Sequence, residues 1–436
     1  MDSNITNINK ENVFKNKNFT LAFLGALVSE LGFVLYNFAV GFYILAITGN
    51  NAFIQGVYLA ISGLSMLIAT PFGGVFSDRY NKAKIMYICD YLRGATIIIA
   101  TVLMLIFKGA NAHVAILFVL GMMGNLISGI FVPSAESLLP LIVKEELLQQ
   151  ANSYNAMKTA FEGIVGIILA GILYSMLNIH TLFFIVGLCY IASGISEMFI
   201  RYKNETENEK ITLAIAFKDM KAGFDYIKIK KGIPVLLGAM LFINFFFTPF
   251  MNNFIPYFIR TDVANASSYL FDSFLKPELW SSIFSLCFGI SSFVGAAVLS
   301  SRFQEKKCGK KVAYRIFTIA VIMLAITAAY IALVKYGIAL NAFLILLCIV
   351  GLLLGTLIAC INIPTMTVLM QIVDKNMMGK VSSIISIGGQ GMVPIASVLA
   401  GLILKYMGNA SLLIFCSVGF TLTALFMVRS KDINEF

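Results

Sequence analysis

The stretch Gly74-Val75-Phe76-Ser77-Asp78-Arg79-Tyr80-Asn81-Lys82-Ala83-Lys84 decides how the chain folds. An apolar run from Ala52 to Phe76 leads into it and another from Lys84 to Phe107 leads out. Each run exceeds the roughly 20 residues that a helix needs to cross about 30 Å of hydrocarbon. Between them one acid and three cations stand within a few residues, so the chain surfaces into water, turns and goes back. Lys and Arg collect in the short loops on the cytoplasmic side of a membrane, which makes this an inner turn between two spans.

Outward from this turn the alternation repeats. The chain has 436 residues, 59% hydrophobic and 12% charged, with a mean hydropathy of +0.88. That composition does not dissolve as a globule. Apolar runs occur along the whole length rather than at one end, so neither a single anchor nor a cleaved leader accounts for them. Spans are predicted near Thr20–Ile47, Ala52–Phe76, Lys84–Phe107, Ala112–Ala135, Met157–Leu177 and Thr181–Ile200. Six more are predicted near Ile233–Phe258, Trp280–Ser300, Val312–Val334, Gly337–Ile361, Val381–Leu404 and Ser411–Val428. The expected fold is an all-α membrane protein of twelve transmembrane helices in two six-helix bundles.

The expected organisation is a cytoplasmic N-terminal segment (1–19), a first bundle (20–200), a cytoplasmic linker (201–231), a second bundle (232–428) and a cytoplasmic tail (429–436). In the linker Phe217, Met220, Phe224 and Ile227 recur at helical spacing opposite Lys218, Asp219, Lys221, Asp225 and Lys228, the pattern of a helix lying on the membrane surface. Apart from Arg93 inside a span, only Lys108, Arg260, Lys276, Lys335 and Lys405 of the 32 Lys and Arg residues fall in outer segments. Both termini are therefore expected in the cytoplasm. The net charge of +10 sits in these inner segments, where anionic lipid explains it and nucleic acid is not needed. The halves also echo each other: Pro133 with Val143 resembles Pro364 with Val373, and Arg79 matches Arg302, as expected of a duplicated transporter bundle.

Several chemistries drop out. The seven cysteines lie mostly in apolar runs with no CxxC pair, and the two histidines, His113 and His180, sit beside short loops. No metal centre, cofactor site or Ser-His-Asp arrangement is expected. An ATP-driven pump would need a G-x-x-x-x-G-K-[ST] loop, which does not occur. A lipid-modifying enzyme would need a base within reach of a nucleophile inside the membrane, and such pairs are scarce.

Ionisable groups in spans cost about 2.5–3.5 kcal/mol each on insertion, so those that persist merit a role. Glu30 on the first span shares a helical face with Phe33, Asn37 and Gly41 and has no cation near it in sequence. A lone carboxyl in an apolar setting is suited to loading and releasing protons; its plainer reading is packing within the bundle. Glu162 on the fifth span lies beside Gly163, Gly166 and Ala170, small residues that let helices approach, and its plainer reading is a pair with Lys158 four residues earlier. Asp90 and Arg93 on the third span neutralise each other at i, i+3. Glu30, Glu162 and Asp90 are the proton-coupling candidates; Glu136 and Glu197 read as interfacial. One proton entering down about 100 mV releases about 2.3 kcal/mol, which supports a gradient of about 50-fold for a neutral substrate.

The opening stretch resembles the signature G-x-x-x-D-R plus basic residues found between helices two and three of the major facilitator superfamily. Val132-Pro133-Ser134-Ala135-Glu136-Ser137-Leu138-Leu139-Pro140, Ala151-Asn152-Ser153, Phe217 to Phe224, Asn362-Ile363-Pro364, Gln371, Gly379-Lys380-Val381 and Pro394 narrow the resemblance to the macrolide-efflux-type branch of proton-coupled drug exporters. Departures are Asn81 and Ala83 within the signature. The helix-five antiporter pattern survives only as Gly166, Ala170 and Gly171, with Ile167 where a proline belongs. The resemblance implies a gate built from Gly74, Asp78, Arg79, Lys82 and Lys84, in which Asp78 meets the positive N-terminal end of helix eleven near Gly379 and Lys380. Gly73 and Gly74 would permit close helix contact there.

The resemblance further implies that helices one, four, seven and ten line a central cavity, with flanking support from two, five, eight and eleven. Asn37, Asn125, Asn244, Phe245 and Gln390 then become substrate-contact candidates. The Phe-rich span seven, interrupted by Pro249 and Pro256, would supply aromatic surface. The implied activity is proton-coupled export of lipophilic small molecules such as macrolide-like drugs by a monomer in the plasma membrane, a bacterial inner membrane. Uptake or facilitated diffusion of a metabolite is the alternative. The outer loop from Arg260 to Glu278 has no role assigned by the sequence.

Overall fold

The computed structural model describes residues 12–202, 224–228, 233–273, 275–302, 309–337, 339–373 and 391–430. In the first half the helices are α1 (Lys17–Ile47), α2 (Ala52–Arg79), α3 (Lys82–Ile106), α4 (Ala110–Ile142), α5 (Leu148–Phe161), a π-helical segment (Glu162–Gly166), α6 (Ile167–Met176) and α7 (Ile179–Met198). The second half contains α8 (Ile233–Thr248), a π segment (Pro249–Phe254), α9 (Ile255–Phe258) and a second π segment (Ile259–Val263). It continues with α10 (Leu279–Arg302), α11 (Gly309–Tyr336), α12 (Leu340–Ile372) and α13 (Val393–Arg429). Eleven helices among the described residues are long and apolar enough to span a membrane. The last of them breaks at Gly408, whose φ of 78° and ψ of −179° are open only to glycine, so α13 holds the eleventh and twelfth spans together. The first part of span eleven lies outside the described residues.

The fourth and tenth spans run on to Ile142 and Ile372, past their expected ends at Ala135 and Ile361. Both contain prolines, which ordinarily disrupt a helix because one N–H is lost. The freed carbonyls have different surroundings. Pro133 cannot donate to Gly129, and α2 crosses that carbonyl at Gly73, where a Cβ would come within 2.2 Å of it. Pro364 cannot donate to Cys360, and the Arg315 guanidinium of α11 donates to that oxygen instead. At Pro364 a neighbouring helix thus meets the backbone demand that proline creates. Asn81, in place of the signature glycine, caps α3: its Oδ1 accepts from Lys84 N at 3.0 Å, with φ −60°. The position needs a capping side chain rather than glycine's freedom.

The chain divides into two compact units. The first comprises Met1–Val40 with Ser65–Leu213, and in it α3 packs against both α4 and α7. The N-terminal segment and the start of α1 are tied to distant parts of the chain: Val13 N donates to Gln150 Oε1 of α5 at 2.8 Å, and Arg201 N, just past α7, donates to Asn18 Oδ1 of α1 at 3.0 Å. Val13 and Phe19 are buried there beside Leu138 and Ile142.

The second unit comprises Gly41–Leu64 with Ala214–Phe436, so the C-terminal end of α1 and the N-terminal half of α2 group with it. There Gly56 and Gly401 interlock: a Cβ on Gly56 would lie 2.3 Å from Ser397 O, and one on Gly401 would lie 2.6 Å from Ala52 O. Elsewhere in this unit α10 packs on α12 and α11 on α13. Of the expected linker helix, residues 224–228 are described and helical; Ile227 is buried, Phe224 is exposed, and Lys228 Nζ sits 5.3 Å over the Phe224 ring.

Candidate functional site

Inside the first unit lies a cavity of about 440 Å³ walled by α1, α3, α4 and α5. Its apolar wall includes Phe19, Phe23, Met86 and Phe131; its polar wall carries Glu30, Glu136, Asn152, Asn155, Lys158 and Thr159. The helical spacing that puts Phe23, Ala26 and Glu30 on one face of α1 aims the carboxyl into this space. The N-terminal turn packs on α5, where the Phe14 and Tyr154 rings meet edge to face at 4.7 Å. That turn escaped the sequence reading because it is too short and polar to signal a span.

Behind this vestibule the unit buries a charge cluster. Asp90 is 0% exposed and Arg93 6%, with Arg93 Nη1 to Asp90 Oδ1 at 3.1 Å. The guanidinium lies 4.5 Å over the Phe131 ring and 5.6 Å over that of Tyr190, so one aromatic wall separates it from the vestibule. Glu197 departs from its expected interfacial place. It is 0% exposed, because α7 packs directly on α3 and turns this residue inward beneath Gly25 of α1. A position one turn from a cationic loop looks interfacial in sequence; only the seam between the two helices buries it.

Glu162 is 6% exposed at the start of the π segment, with Lys158 Nζ at 3.6 Å from its Oε1. The π turn falls where the helix-five proline is absent. Of the small residues nearby, Gly166 meets Leu31 and Val34 of α1, whereas Gly163 faces open space. Glu30 is within electrostatic reach of both Asp90 and Glu162. The three proton-coupling candidates thus gather in one unit. Among the described residues, no three His, Cys, Asp or Glu side chains form a metal-holding group.

On the other side of Arg93 a chamber of about 20 Å³ is lined by Tyr36, Asn125, Ser128 and Tyr190, room for about one water. Asn125 spends its amide on Gly121 O at 2.9 Å. The remaining substrate candidates scatter. Asn37 is exposed and lines neither space. Asn244 donates to Met240 O at 3.0 Å, and Phe245 packs edge to face on Phe246 and Phe415. Gln390 lies outside the described residues. In span seven Phe250, Phe254 and Phe258 are buried core, stacked on one another and edge-on to Phe284 and Tyr330.

At the signature turn, Gly73 makes the close crossing and Gly74 faces open space, a correction to the pairing expected of them. Lys82 Nζ donates to Ser77 O at 2.7 Å, and its backbone N donates to Tyr202 Oη at 2.7 Å. Lysine at a helix C-terminus satisfies the orphan carbonyls there. Asp78 and Arg79 have helical backbone, but their side chains, with Gly379 and Lys380, lie outside the described residues.

The outer loop is clipped shut by Arg260 Nη1 on Glu278 Oε1 at 3.2 Å. Beside it Asp262, which the sequence reading passed over, accepts hydrogen bonds from Tyr330 Oη at 2.9 Å, Asn409 Nδ2 at 2.8 Å and Thr261 Oγ1 at 2.6 Å. These three donors come from three parts of the chain, which no local spacing reveals.

Comparison with known proteins follows the same lines. The family model described as Major Facilitator Superfamily matches residues 22–397. The uncharacterised MFS-type transporter YkuC of Bacillus subtilis is 23% identical over 85% of this chain and 81% of its own length. Macrolide efflux protein A of Streptococcus pyogenes is 23% identical over 55% of this chain and 58% of its own length. Among solved structures, a bacterial homologue of the iron transporter ferroportin, inward-facing, superimposes with a TM-score of 0.67 at 17% identity, covering 95% of this chain and all of that one. A D-xylose-proton symporter gives 0.69 at 15% identity, covering 95% of this chain and 97% of its own. With its alternating apolar helices, its signature turn and a family model matching most of its length, the chain belongs to the major facilitator superfamily of membrane transporters.

Proposed function

We propose that this multi-pass membrane transporter exports lipophilic small molecules, macrolide-like drugs among them, in exchange for protons by alternating access. It works in the bacterial inner membrane with both termini in the cytoplasm. The observation that carries the reading is the vestibule, where phenyl and thioether surface faces one wall and Glu30, Glu136 and Lys158 the other. Such a lining binds an apolar body and orients a cationic or hydrogen-bonding group with loose specificity. Glu30, Glu162 and Asp90 couple this site to protons, and Asp78 serves the inner gate with Arg79, Lys82 and Lys84. Resemblance to a macrolide efflux protein supports the substrate class.

The test is erythromycin accumulation in cells expressing the protein, with and without a protonophore. Expression should lower accumulation, and collapsing the proton gradient should restore it; Glu30→Gln should abolish the protonophore-sensitive part. Asp78→Asn should lower export while leaving membrane insertion intact. Export that ignores the protonophore would refute proton coupling. Accumulation raised by expression would favour uptake, the reading that Ile167 in the proline position of helix five leaves standing.

A further inference from the structure

In the core of the first unit two carboxylates are buried near one cation. Asp90 and Glu197 are each fully buried; the Arg93 guanidinium bonds Asp90, lies over the Phe131 ring and is within electrostatic reach of Glu197. Arg93 bonds one Asp90 oxygen. Ser193 lies beside Asp90 as a hydrogen-bonding neighbour, whereas Glu197 Oε1, Glu197 Oε2 and Arg93 Nε have no hydrogen-bond partner. The groups that face Glu197 are Asp90, Arg93 and Cys89 from α3, Lys158 from α5, and, through Asp90, Glu30 from α1. Lys158 is already engaged with Glu162 at 3.6 Å. With every acid ionised, the Asp90–Arg93–Glu197 cluster carries one uncompensated negative charge in the buried core, a state that proteins rarely tolerate.

We infer that this cluster stores one proton, held on Glu197. The proton supplies what the cluster lacks: it cancels the surplus charge, and the new O–H is a donor where both Glu197 oxygens stand without one. Loading forms an O–H bond on Glu197 as a hydronium ion that reaches it gives up its proton and leaves as water; the cluster passes from a net charge of −1 to zero. Release runs the same steps backwards. Access is controlled by α1, since a Cβ on Gly25 would lie 3.2 Å from Glu197 Cγ and 3.3 Å from Ser193 Oγ. Movement of α1 therefore uncovers the store. Use of this proton for transport rests on the export reading above; its storage does not.

The experiment uses the full chain in lipid nanodiscs and infrared spectroscopy of the protonated-carboxyl C=O stretch. Wild type at neutral pH should show such a band, slow to shift in D₂O; Glu30→Gln should keep it and Glu197→Gln should lose it. A wild type without the band, or a band untouched in E197Q, overturns the inference, and the D₂O measurement on wild type decides even if the variant fails to fold. In inverted vesicles probed with ethidium, E197Q should lose pH-gradient-driven uptake yet keep ethidium exchange without a gradient. Gradient-driven uptake equal to wild type overturns the coupling role. Wild-type vesicles that move neither ethidium nor erythromycin while the band behaves as described would refute the export reading and leave the proton store standing.

Discussion

The seam between the third and sixth spans of the first half is charged, whereas its counterpart in the second half is neutral. Where α3 meets α7, Asp90 and Arg93 stand against Glu197. Where α11 meets α13, Thr327 Oγ1 and Ser417 Oγ share a hydrogen bond at 3.0 Å among buried Met323, Cys416 and Phe420. Both seams are closely packed, so packing alone does not call for charge; a hydroxyl pair suffices. The arginines on the third helix of each half differ in the same way. Arg315 satisfies a carbonyl that Pro364 releases, and Arg93 neutralises a carboxylate. At this seam the first half keeps ionisable groups where a hydroxyl pair serves in the second.

The strongest way to break this contrast is Arg93→Met. It leaves two carboxylates buried without their cation and should destabilise the protein by about 3–5 kcal/mol, measured as thermal unfolding in detergent. Much of the loss should return in the double variant Arg93→Met with Asp90→Asn, a coupling that neutral packing would not show. Arg315→Met should cost less, about 1–3 kcal/mol, because it strands a backbone carbonyl rather than a charge. Equal losses at Arg93 and Arg315 would erase the distinction between the halves. The smallest effect is expected at the neutral seam: Thr327→Val removes one hydroxyl bond and should cost about 0.5–1.5 kcal/mol, with no effect on the pH dependence of transport.

The fold was readable because lipid allows so few backbone solutions. Runs of about 20 apolar residues must be helices, since no water is present to satisfy an open backbone. Cationic loops such as Arg79 to Lys84 then set the order of crossings. The exceptions were Pro364, where Arg315 from another helix takes up the freed carbonyl, and Gly408, where a single residue separates two spans.

The candidate site was legible only in parts. Glu30, Asp90 and Glu162 stood out because any acid in a span does, and the Asp90–Arg93 and Lys158–Glu162 pairs follow from helical spacing. Glu197, Asp262 and the N-terminal turn did not, since each owes its surroundings to residues distant in sequence: α3 for Glu197, Tyr330 and Asn409 for Asp262, Gln150 for the turn. Composition and period thus determined how many times the chain crosses the membrane and which residues are ionisable there, for those depend on local hydrophobicity alone. Which acids lie near one cation, and which wall faces a cavity, was decided by helix packing, because burial and electrostatic partnership are properties of neighbours in space.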